Sequence, residues 1–172
     1  KGLGLFNQFS DINAFENESA IARGLAFVPS LAGLACPHWD RHARGAWMGL
    51  NLYTDKADMV QAILEGIAFR MGEVSAAMDS LQSVLSTISI DGGLSANPYF
   101  CQFLSDVLSR EIVVSDEAEL TGKGTAMLAA EAAGAQIASG MNGKRVKPRE
   151  LDPRCFDRFS AARDAVQGFG AR

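Results

Sequence analysis

Two histidines and three cysteines are all that this 172-residue chain offers to metal or thiol chemistry. Cys36, Cys101 and Cys155 lie far apart and form no CxxC pair. That spacing argues against a zinc site or a disulfide framework and fits reduced thiols in a cytoplasmic protein. His38 and His42 stand four apart, which would suit a metal on a helix, but Pro37 before them and Gly45 after them argue for a loop. Two neighbouring histidines also support no Ser-His-Asp or Cys-His arrangement. Excess charge is scarce: 16 basic and 20 acidic residues leave a net −4, with no pull toward nucleic acid or an anionic membrane. Long apolar runs are missing. The most membrane-like stretch, 126–138, is interrupted by Glu131, Gly134 and Gln136 and is too short to span a bilayer. There is no repeat, no low-complexity tract and no visible secretory signal. The chain does not begin with Met, and its opening KGLGLFNQFS reads as the interior of a longer polypeptide.

What is present is an ordinary globular composition, 48% apolar and 21% charged, in a length that suits one domain with a core. Ser10 or Asp11 can cap a short helix. GLAFVPS reads as a strand ended by Pro29, LAGLACPHWDRHARG as an irregular loop, and AWMGL as a second short strand. Trp39 and Trp47 are expected as core or interface anchors, and Asp40, Arg41 and Arg44 as a hydrogen-bonding cluster in the loop. Thr54 or Asp55 then caps a long helix to about residue 81. Met59, Ile63, Ile67, Met71, Val74, Met78 and Leu81 recur along it by fours and threes, one apolar face that predicts a sheet as partner. Glu65 and Glu73 lie on the same helix without a basic partner in sequence to mark an acid/base pair.

TISI predicts a strand, 98–109 a helix, EIVVSD a strand, and 121–133 a small-residue helix stopped by Gly134. MNGKRVKP reads as a polar connector, and 156–169 as a last amphipathic helix. Helices alternating with short strands predict an α/β fold with parallel neighbours in its sheet. The helix after Pro98 closes a right-handed βαβ unit.

Two glycine-bearing helix entries are candidate sites. In DGGLSANP, Gly92 and Gly93 follow a strand at the end where α/β proteins bind ligands, and glycine bares the backbone to a flat base or a phosphate. The plainer reading is a tight turn, with Asn97 as N-cap and Pro98 in the first helical position. Both can hold, since a capped helix N-terminus still offers N–H donors. In ELTGKGTAML, Gly122 and Gly124 flank Lys123, but the order is not that of a P-loop. A cap with small residues packed against a neighbour is the plainer reading there.

Four stretches in order resemble the FGGY family of carbohydrate kinases, most closely its glycerol kinases. They are FVPSLAGLACPHWDRHARGAWMGL, GAWMGLNLYTDKADMVQAILE, IDGGLSANPYFCQFLSDVLSREIVV and AELTGKGTAMLAAEAAG. The resemblance covers nearly everything from residue 25 to 169. It implies a ribonuclease-H-like domain of the actin, hexokinase and Hsp70 type, a mixed sheet flanked by helices. Residues 1–172 would be part of the C-terminal domain, without its opening hairpin. It implies ATP as phosphoryl donor, with Gly93 and Asn97 at the adenosine and Gly92 supporting the turn. Mg²⁺ would be held mainly by the nucleotide and the absent part. The acceptor site and the catalytic aspartate would belong to an N-terminal domain, the expected partner, so no catalytic residue is expected in this chain. A homo-oligomer is also expected.

The chain departs from the glycerol kinase pattern at Ala35-Cys36-Pro37-His38-Trp39 and at Gly122-Lys123-Gly124. A kinase of another polyol or of a pentulose such as xylulose therefore stays open beside a glycerol kinase. A non-catalytic interaction module or a truncated product is the reading from a different class.

Overall fold

The computed structural model describes residues 4–12, 14–81, 87–116, 120–135 and 143–170. A short 3-10 turn, Phe9–Ile12, stands where the first helix was predicted. Strands β1 (Ala26–Val28) and β2 (Ala46–Met48) then pair antiparallel, with Phe27 opposite Trp47 and their rings 4.5 Å apart. Helix α1 (Lys56–Leu81) begins where two acidic residues cap each other. The Asp58 amide donates to Asp55 Oδ1 (2.8 Å) and the Asp55 amide to Asp58 Oδ2 (3.1 Å), the reciprocal arrangement of a capping box.

A second sheet holds β3 (Thr87–Ile90), β4 (Glu111–Ser115) and β5 (Gly143–Val146) in the order β3-β4-β5. The first pair is parallel and the second antiparallel, so the sheet is mixed. Helix α2 (Pro98–Leu108) joins the parallel pair as the expected βαβ connection. Helices α3 (Leu120–Ala132) and α4 (Pro153–Gly170) complete the described chain. Strand β5 lies where a connector was read. Its GKRV sequence has an exposed Lys and Arg at the centre, so it carries no apolar alternation; it pairs with β4 through its backbone and through the Arg145–Glu111 ion pair, and only Val146 packs on the core.

Helix α1 also departs from expectation. It packs chiefly on α2 and β1, with a lighter contact to α4, and not on the three-stranded sheet. Its buried face is built by Val60, Leu64, Ala68 and Phe69 together with three unexpected residues, Gln61, Glu65 and Gly66. Phe69 stacks on Phe159 of α4 (4.8 Å) and meets Phe103 of α2 edge-on (5.6 Å), joining the three helices in one core. The stripe read from the sequence is the more open side. Met71, Met78 and Leu81 are exposed. Ile67, Met71, Val74 and Met78 line an open groove of about 620 Å³, with Ile88 of β3 and Leu108 of α2 across from them. Helix α3 buries no residue, and nothing approaches Gly122 or Gly124. The close packing expected of those glycines is thus not found among the described residues.

Gly66 is what lets α1 lie on β1. A Cβ there would sit 2.1 Å from the Phe27 carbonyl oxygen, a backbone contact that cannot yield without moving the helix. Alanine has about 1 kcal/mol more helix propensity than glycine, but overpacking costs about 1–3 kcal/mol. Gly66→Ala is therefore expected to lower the thermal midpoint. A variant that melts at or above the parent temperature would contradict the helix–strand contact.

Candidate functional site

The turn between β3 and α2 lies at the carboxyl end of the parallel pair. Gly92 takes φ +91°, a left-handed conformation that a side chain would strain, so the turn needs glycine here. Gly93 opens a 3-10 turn to Ala96 and needs no such conformation. It is exposed, and a Cβ built on it would meet nothing within 4 Å. The Ser95 amide and hydroxyl both donate to the Gly92 carbonyl, at 3.0 and 2.7 Å, and hold the turn closed. Glycine at 93 is therefore not required by backbone or by packing within the described chain. Its surface is open to anything flat that lies against it.

Asn97 caps α2 as predicted. Its Oδ1 accepts from the Phe100 amide at 2.8 Å. The same carboxamide is 6% exposed, and its Nδ2 donates to the Ile12 carbonyl at 2.7 Å. Both polar atoms are thus engaged inside the chain, and the residue joins α2 to a segment 85 positions earlier. A cavity of about 540 Å³ opens beside the turn, with Ser95, Ala96 and Pro98 on one wall and Lys144 and Lys147 on the other. The chemistry of this corner is that of binding. It offers bare backbone, a helix N-terminus and cationic side chains.

Behind the turn lies a buried polar cluster that sequence reading missed. Glu65 of α1 is 1% exposed. Its Oε1 accepts from the Tyr99 hydroxyl (2.6 Å) and the Ala20 amide (2.8 Å), and its Oε2 from the Ile21 amide (2.8 Å). Gln61 Nε2 donates to the Tyr99 oxygen (2.8 Å), and Arg23 bridges Gln61 to Asp58. Burial pushes the Glu65 carboxyl up to about 7, against the opposing pull of the Tyr99 hydroxyl, the two amides and Arg23. Burial, and then the Glu65 charge, raise the Tyr99 phenol above its ordinary range. Only the acidic residue on a long helix was visible in sequence. Its donors come from two other pieces of chain.

Glu73, read as lacking a basic partner, has two. Arg70 and Arg163 both pair with it, and His38 Nε2 lies 3.4 Å away. Arg70 also donates to the Cys36 carbonyl (2.8 Å), so the group ties the 35–40 loop to α1 and α4. Burial, then Arg163 and Arg70, hold the His38 imidazole below its usual value. In the same loop Asp40 accepts from the amides of His42 and Ala43, and Arg44 donates to neighbouring carbonyls. Trp47 packs on Phe27 as expected, whereas Trp39 is exposed. Among the described residues no three His, Cys, Asp or Glu side chains converge as metal ligands, and no helix is long and apolar enough to cross a membrane. Cys36, Cys101 and Cys155 are free thiols.

Comparison with known proteins covers both the turn and its supports. The model of the C-terminal domain of the FGGY family of carbohydrate kinases matches residues 7–133. This chain belongs to that family. A glycerol kinase of Alkalilimnicola ehrlichii is 36% identical over 145 residues, 84% of this chain and 28% of the relative. A glycerol kinase of Haloferax volcanii is 40% identical over 129 residues, 71% of this chain and 25% of that protein. The FGGY chain thus spans about a quarter of the curated relatives it matches. The crystal structure of Plasmodium falciparum glycerol kinase with ADP aligns with a TM-score of 0.77 at 26% identity, over 97% of this chain and 35% of the other. A gluconate kinase of Lactobacillus acidophilus, at 23% identity and a TM-score of 0.77, shares the fold. The ribonuclease-H-like α/β architecture expected of the FGGY family is therefore the fold of this chain, in the mixed sheet flanked by helices described above.

The Glu65 cluster gives this FGGY domain a pH dependence of defined sign. Its carboxyl titrates near 7 in the fold against 4.5 as the ordinary value, so between these values the folded chain holds a proton that the unfolded chain releases. The stability it contributes is complete below about pH 4.5 and is lost as pH rises through about 7. Unfolding free energy measured in denaturant is expected to fall across that window and to fall less in Glu65→Gln. Parallel pH profiles for the two proteins would contradict the assignment.

Proposed function

We propose that residues 1–172 form part of the C-terminal, nucleotide-side domain of an ATP-dependent carbohydrate kinase. The reaction is glycerol kinase-like, with ATP and glycerol giving ADP and glycerol 3-phosphate. The supporting observation is Gly93, an exposed glycine that neither its backbone conformation nor its packing requires. It lies at the carboxyl end of a parallel strand, beside a helix N-terminus. Adenosine lying on Gly93 would explain why no side chain stands there, with Gly92 supplying the turn. Asn97 serves the nucleotide mainly by fixing the end of α2, since its amide already holds Ile12.

Phosphoryl transfer of this class is direct and in line, and depends on positioning and on neutralising phosphate charge. This part of the protein supplies one wall for the nucleotide. The general base and the acceptor pocket belong to the N-terminal domain, its partner, and the chain alone is not a complete kinase. Mg²⁺ would screen charge on the phosphates, held mainly by the nucleotide and the N-terminal part of the protein. The open groove beside α1 and the edge of β3, which no strand among the described residues pairs, fit a domain that further polypeptide completes.

Gly93→Val in the full-length protein tests the reading. The site has room for the new side chain and needs no left-handed backbone, so the variant is expected to fold with an unchanged thermal midpoint. KM for ATP is expected to rise about tenfold or more, and KM for the acceptor to stay the same, as when a ground-state contact is lost. A folded variant with the parent KM for ATP would refute the proposal.

A further inference from the structure

We infer that Glu65 is a positioning residue for nucleotide binding: from inside the fold it fixes the first turn of α2, and with it the Gly92–Gly93 turn. The inference rests on the nucleotide reading of that turn and goes beyond it, because Glu65 is sealed from solvent and acts only through its neighbours.

Three side-chain ties hold the start of α2. Asn97 donates to the Ile12 carbonyl, the Tyr99 hydroxyl donates to Glu65, and Gln61 donates to the Tyr99 oxygen. The first leads to Ile12 and the other two to the 18–21 segment, because Glu65 also holds the amides of Ala20 and Ile21 and Gln61 also donates to the Glu18 carbonyl at 3.3 Å. The segment's outer side is held by Arg158 of α4, which donates to the Ile21 carbonyl at 2.9 Å. Tyr99 is wedged between Phe15, edge-on at 4.7 Å, and Phe103, stacked at 6.0 Å. Its oxygen therefore has little freedom in where it meets the carboxylate. The Glu65 carboxylate, with Gln61 one turn before it, thus sets the distance between α1, residues 18–21 and the helix whose N-terminus faces the candidate ligand.

An apolar side chain at 65 would fill the space at no desolvation cost, but it would offer nothing to the Ala20 and Ile21 amides or to Tyr99. What a carboxylate adds is direction. Three donors converge on two oxygens, and each bond holds its partner to within a few tenths of an ångström. Binding of a rigid, flat base against bare backbone is sensitive to displacements of that size.

The test uses the full-length protein and three variants measured together. Glu65→Gln keeps the shape and replaces one acceptor by an amide that faces a donor. It is expected to raise KM for ATP about fivefold and to leave KM for the acceptor within about twofold. Tyr99→Phe keeps both ring contacts and removes only the hydroxyl, and is expected to raise KM for ATP by a smaller factor with the same selectivity. A residue that mattered only for stability would lower the thermal midpoint and move neither KM. A folded Glu65→Gln with parent KM for ATP, or with both KM values raised alike, overturns the inference. If Glu65→Gln does not fold, Tyr99→Phe decides by the same two readings. Gly93→Val separates the levels. If it raises KM for ATP while the other two do not, only the positioning role fails; if it too has no effect, the nucleotide reading fails and the positioning role with it.

Discussion

A carboxylate buried on a helix must be met by donors or stay protonated. In this chain that constraint falls on Glu65, and the answer to it gathers three separate pieces of chain. Two amides come from the 20–21 turn, a hydroxyl from the start of α2, and the surrounding Gln61, Arg23 and Asp58 extend the network to the beginning of α1. The apolar core grows outward from the same helix. One turn on, Phe69 joins α2 and α4. Next to Glu65, Gly66 brings the helix backbone against β1. Polar anchoring and close packing thus occupy one face of α1. The regular apolar stripe is left on the other, lining an open groove.

The consequence for function is a division of labour within the chain. The parallel pair of strands delivers a glycine turn to the carboxyl edge of the sheet, where no side chain from the described residues covers Gly93. The clamp behind it fixes α2 without reaching the surface. The matched kinases are about three to four times longer than the part of them this chain spans. Under the proposed nucleotide reading, this corner would be one wall for a substrate in a reaction completed between domains.

Local features were legible in the sequence where their signal is local. Asp55 ahead of a long periodic run marked the start of α1, and Asn97-Pro98 marked the start of α2. Both depend on residues within three positions of one another. The face that α1 buries was misjudged because its centre holds Gln61, Glu65 and Gly66, residue types that periodicity counts as outward. Their burial is decided by partners 34 to 45 positions away. Strand β5 was invisible because a four-residue strand with Lys144 and Arg145 exposed at its centre has no apolar alternation to read, and the Glu111 that pairs with Arg145 lies 34 positions away. For the site, the resemblance pointed to Gly92, Gly93 and Asn97, and the structure brings them together in one turn. The Asn97 amide's partner, the Ile12 carbonyl, is a backbone atom that no motif could name.

The central claim is that the nucleotide base lies on the turn after β3. Photolabelling of the full-length protein with 8-azido-ATP, competed by ATP and mapped by mass spectrometry, tests it most directly. The account places the competed label on the peptide carrying Gly92, Gly93 and Asn97. A competed label confined to α4 or to the 31–45 loop, with that peptide unmodified, would contradict it.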